Sequence, residues 1–122
     1  LVIGPLAQKR NIAVVDSYKI DDVLIFHGHK LLKETAPFMI MGHEHPAVSF
    51  KEKPGEKFKC FLVGSWKQST LIVMPSFNPL TEGSDVAQER FLSPYLNKSI
   101  ADFSLYVVED TVYPFGKVKD LP

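Results

Sequence analysis

Val23-Leu24-Ile25-Phe26-His27-Gly28-His29 and, after eight residues, Phe38-Met39-Ile40-Met41-Gly42-His43-Glu44-His45-Pro46 decide how this chain is read. Each is an apolar run that empties into a histidine pair, and the two pairs hold all four histidines of the sequence. Short continuous apolar runs predict strands buried on both faces. Lys30-Leu31-Leu32-Lys33-Glu34-Thr35 between them has helix formers for a turn or two, ended by Pro37. Strand, short helix, strand implies a parallel pair whose carboxyl ends lie together. Ligand sites of open α/β sheets lie beyond such ends.

The histidine spacing carries its own chemistry. Residues two apart in an extended segment share a face, so His43 and His45 can aim at one centre if the strand continues through Glu44, which then points the other way. Neutral imidazole is the commonest metal ligand among side chains, and three or four of them suit a first-row ion. Gly28 and Gly42 give the backbone room to bend beside the ligands, and Pro46 is expected to stop ladder pairing. A lone His-x-His is more often a surface or structural pair, so the joint pattern, and not either pair, points to metal.

Outward from this stretch, Leu6 to Asn11 reads as the end of a helix and Ile12 to Val15 as a strand. Tyr18-Lys19-Ile20 and Val23 to Phe26 flank an Asp21-Asp22 turn, and Asp16, Asp21 and Asp22 are read as turn formers and solvated acids, not ligands. Ala47 to Phe50 and Phe58 to Val63 form a hairpin about a charged Pro54-Gly55 tip, and Ser69 to Met74 continues the meander. Trp66 sits at a turn as a rim aromatic. Pro75 to Ser84 is a long loop in which Asn78 and Thr81 are candidate substrate contacts. Asp85 to Gln88 resembles a capping box, predicting a short helix from Val86 towards Phe91. Ser93-Pro94 breaks the chain again, and Phe103 to Val108 pairs with Thr111 to Phe115, where Pro114 marks an edge.

Composition bounds the rest. The 122 residues suffice for one domain with a core, and 45% hydrophobic content is ordinary for a globular chain. Fourteen basic residues balance fourteen acidic ones, so charge gives no argument for nucleic acid or an anionic membrane, although nucleic acid stays open as a substrate. Cys60 has no disulfide partner and reads as a small buried hydrophobe; this usage fits a reducing cytoplasm. No run approaches the ~20 apolar residues of a membrane span.

Gly42-His43-Glu44-His45-Pro46 resembles the Gly-His-x-His-Pro motif near the end of calcineurin-like metallophosphoesterases, and Phe26-His27-Gly28-His29 resembles their His-Gly motif one strand upstream. Cys60 to Gly64, Leu71 to Pro75 and Phe77 to Gly83 are similar to the tail of the archaeal subgroup related to DNA-ligase-associated phosphoesterases. The similarity runs from about Val14 to Gly83. The family's Asp-x-His, Gly-Asp and Gly-Asn-His-Asp motifs have no counterpart here, and Leu1 to Leu6 resembles the segment that follows the last of these.

The resemblance implies the C-terminal half of a two-sheet αββα sandwich, an α/β fold rich in β, with residues 1–122 as one partial domain. It implies phosphomonoester or phosphodiester hydrolysis by two divalent ions, Mn, Ni, Zn or Fe. His27 and His43 would hold one ion and His45 the other, while His29 would support the ligands or face the phosphate. The carboxylate ligands and the general acid are expected upstream, so this half alone should be inactive. Its uncovered face and sheet edge should drive self-association. A different class stays open, a non-catalytic β-rich binding module whose histidines are structural or hold a single metal.

Overall fold

The computed structural model describes residues 3–87 and 90–122. In chain order they form α1 (Ile3–Lys9), β1 (Ser17–Ile20), β2 (Val23–Phe26), β3 (Phe38–Met41), β4 (Pro46–Val48), β5 (Phe58–Trp66), β6 (Ser69–Val73), β7 (Ser84–Asp85), β8 (Ser104–Val108), β9 (Val112–Lys117) and a 3-10 turn, Val118–Asp120. The architecture is β-rich α/β with a mixed sheet. β2, β3 and β6 run parallel, flanked by antiparallel β1 on one side and β5 on the other. The nine-residue β5 joins the rest: its first residues pair with β4, its middle with β8 and its end with β6.

Register explains which side chains are buried. Phe26, Met41, Val73, Leu62 and Leu105 stand in one row across five strands, and Leu24, Met39 and Leu71 in the next. All eight are core residues. Gly64 ends the second row, where an added Cβ would lie 2.5 Å from the Phe103 ring, so the absent side chain is what lets Phe103 pack down. Phe91, Tyr95, Leu96 and Phe103 cover this face from the irregular segment before β8.

The other face is apolar too. Tyr18, Ile25, Ile40, Ile72 and Val63 form a matching row, yet Ile25 is 38% and nearby Phe38 47% exposed. Strands reading as buried on both sides therefore have one side covered among the described residues. The expected parallel pair forms, as do the three expected hairpins, β1–β2, β4–β5 and β8–β9.

Several expectations are corrected. The helix ends earlier than Asn11, at Lys9, closed by Asn11 in the left-handed region (φ 56°) with Ile12 N–H donating to Ala7 C=O and Asn11 N–H to Gln8 C=O. Ile12 to Val15 is no strand: among the described residues no strand pairs with it, and Ile12, Val14 and Val15 are exposed. Lys30 to Thr35 is irregular, not helical. A two-turn helix has little stability of its own, and here Leu32 N–H donates to Tyr95 Oη while Ala36 C=O accepts from Ser69 Oγ. Pro46 does not end pairing but opens β4 opposite Ser84, a first position where its missing N–H costs nothing. The capping box also fails in its described part. Ser84–Asp85 pair with β4, and the Asp85 carboxylate accepts from Ser49 Oγ and Ala87 N–H; Gln88, the box's last residue, lies outside the described residues.

Candidate metal centre

Phe26, Met41 and Val73 are in register, so the segments after β2, β3 and β6 leave the sheet at one rim. Gly42 N–H to His27 C=O and Met74 N–H to Met41 C=O carry the ladder one step further. Both histidine pairs and the Pro75–Ser84 loop therefore start from the same rim, as parallel register dictates.

Beyond the rim the backbone turns sharply. Gly28 takes φ 102°. His43 takes φ 71°, and Glu44 N–H donates to Gly42 C=O at 2.8 Å across it, so His43 is the centre of a tight three-residue turn of the rare, strained hand. His45 is also left-handed, φ 52°. The strand thus does not stay extended through Glu44, and alternation does not set the directions of His43, Glu44 and His45. A non-glycine residue held at such angles costs about 1–3 kcal/mol and persists where its surroundings impose it.

The turn brings His43 Nδ1 to 3.0 Å from His27 Nε2. Two nitrogens on one ion at about 2.0–2.1 Å stand roughly 3.0–3.4 Å apart, so this spacing suits a shared metal as well as a shared proton. The His29 ring lies 5.2 Å from His27 and 6.2 Å from His43, centroid to centroid. Among the described residues His45 makes no ring contact with these three, yet its charge reaches His27. Burial first, then His43, His29 and His45, lower the His27 pKa from the ordinary imidazole value. His27 therefore stays neutral further into acid, in the form that binds metal. Among the described residues no group of three or more His, Cys, Asp or Glu gathers into a metal cage. The chain supplies a pair of converging nitrogens with a third imidazole beside it.

The remaining candidates have contacts of their own. Asn78 organises its own loop: its C=O accepts from Lys59 Nζ at 2.6 Å and its Oδ1 from Leu80 N–H. Thr81 N–H donates to Asn78 C=O. Asp16 pairs with Lys30, and Asp21 occupies the hairpin turn at φ 51°. The Trp66 ring meets Tyr95 at 4.7 Å in a tilted contact at the far end of β5, which pairs with the start of β6 and so lies away from the histidine rim. Burial pushes the Cys60 thiol up to about 12, which leaves it inert. Among the described residues no helix is long and apolar enough to cross a membrane.

Glu44 and Ser93 are the site residues that spacing did not reveal. Glu44 Oε2 accepts from Ser93 N–H at 2.6 Å, and Ser93 Oγ donates to Gly28 C=O at 2.6 Å. His45 is fixed from behind by Gly83: at φ 98°, a Cβ there would come within 2.6 Å of the His45 carbonyl oxygen. Gly83→Ala is accordingly expected to destabilise the chain by about 1–3 kcal/mol, seen as a lower denaturant midpoint, because neither the backbone angle nor the carbonyl can yield cheaply.

The sequence matches no protein-family model and no curated protein. Among solved structures, the chain is similar to the crystal structure of the Pseudomonas putida nuclease MPE, with TM-score 0.55 and 20% identity. The match covers 86% of this chain and 44% of that one, so the chain spans less than half the nuclease's length. At this identity the likeness is one of fold.

Proposed function

We propose that the chain is the C-terminal part of a metal-dependent phosphoesterase of the calcineurin-like kind, acting on a phosphodiester or phosphomonoester. The observation that carries this reading is the convergence of His27 Nε2 and His43 Nδ1 to 3.0 Å at the carboxyl ends of parallel strands. The fold it shares with a nuclease adds support, since a nuclease cleaves phosphodiesters. His27 and His43 hold one divalent ion, Mn, Ni, Zn or Fe, and His45 serves a second, whose carboxylate ligands lie outside this chain. Divalent ions in such a site lower the pKa of bound water and stabilise charge on the phosphoryl oxygens. His29 stands beside the pair, where it supports the ligands or meets the phosphate. The apolar face of Tyr18, Ile25, Phe38 and Ile40 is the surface through which the chain self-associates when nothing else covers it.

One observation favours the alternative, a binding module with structural histidines: the His27 and His43 nitrogens already satisfy each other by a hydrogen bond. Hydrolysis of a chromogenic phosphodiester in Mn²⁺ or Ni²⁺ separates the two. A longer protein carrying this chain is expected to turn the substrate over, and the 122-residue chain alone to be inactive. Absence of metal-dependent turnover in the longer protein, or turnover indifferent to His43→Ala, would contradict the phosphoesterase reading.

A further inference from the structure

We infer that Ser93, with Glu44, is a positioning clasp that sets the His27–His43 spacing. Ser93 is 1% exposed and lies 65 residues from Gly28 and 49 from Glu44 in the chain. Its N–H grips the turn that carries His43 and its hydroxyl grips the turn that carries His27. One small residue thus holds both histidine turns from beneath. The neighbouring Tyr95 extends the grip: its N–H donates to Ser93 Oγ at 3.2 Å, and its hydroxyl accepts from Leu32 N–H at 2.9 Å, further along the same crossover. The Tyr95 ring packs 4.8 Å from Phe26, the residue before His27.

The chemistry explains why a clasp is needed. His43 sits at a backbone angle that a free chain avoids, and such a turn persists only when something outside it opposes relaxation. A carboxylate accepting a backbone N–H at 2.6 Å is a short, charge-assisted bond suited to that task. Ser93 can make both contacts because its side chain is short enough to bring its own N–H and O–H to two loops at once. A buried hydroxyl whose every contact is to these turns or to its own neighbour has no other evident work.

The inference rests on the metal reading only for its consequence, so its test has a metal-free arm. In the metal-free chain, nitrogen–nitrogen coupling across the His27 Nε2–His43 Nδ1 hydrogen bond is expected in the parent protein by NMR and lost in Ser93→Ala and in Glu44→Ala. Glu44→Gln, which keeps an acceptor oxygen, should retain it. Co²⁺ titration, read by its visible absorption, is expected to weaken about 10- to 100-fold in the two alanine variants and much less in Glu44→Gln. Should Ser93→Ala fail to fold, the Glu44 pair carries the same comparison at a half-exposed position. Coupling retained in folded Glu44→Ala or Ser93→Ala overturns the clasp. Coupling lost in both, with no Co²⁺ bound by the parent chain, upholds the clasp and sinks the metal reading instead.

Discussion

Replacing His43 with alanine is expected to weaken Mn²⁺ or Ni²⁺ binding by more than about 100-fold, measured by calorimetry on the chain. Groups that merely orient a metal-bound histidine are worth 10- to 100-fold, so removing one of two converging nitrogens must cost at least the top of that range. The fold should not share this loss. His43 occupies φ 71°, where glycine is at ease and other residues are strained. His43→Gly is therefore expected to raise stability by about 1 kcal/mol while abolishing metal binding. A gain in stability with loss of the ion would show that the His43 ring serves the metal and not the fold. Loss of stability in His43→Gly would show instead that the ring is a packing element.

Leu62→Ala is expected to have the largest effect on stability, about 2–5 kcal/mol, seen as a lower midpoint in urea with unchanged slope. Leu62 is fully buried within the five-strand row, between Val73 on one side and Leu105 on the other. Close-packed neighbours on two strands cannot collapse into the space a missing isobutyl group leaves. A loss of that size is a large fraction of the total stability of a domain this small. A fall below ~1 kcal/mol would mean that the row is loosely packed and that register does not define the core.

The sheet was legible because its signals are local. Phe38-Met39-Ile40-Met41 and Val23-Leu24-Ile25-Phe26 are too apolar and too short for anything but strands, and two such runs joined by a short crossover pair in parallel. That placed both histidine pairs at one rim. Side-chain direction beyond the rim was not legible, since it depends on backbone angles at His43 and His45 that strand alternation cannot foresee. In the sequence Ser93 signals only a chain break beside Pro94. Its contacts with Gly28 and Glu44 span half the chain, and no periodicity records a hydrogen bond between residues so far apart. Ile12 to Val15 misled for the converse reason: the residues are right for a strand, but a strand needs a partner, and none is present among the described residues.

Whether His27 and His43 converge on one ion can be seen by anomalous diffraction from crystals soaked in Mn²⁺. A single strong peak is expected about 2.0–2.3 Å from both His27 Nε2 and His43 Nδ1, with their 3.0 Å separation little changed. A pair still joined by its own hydrogen bond, with no peak beside either ring, would contradict it.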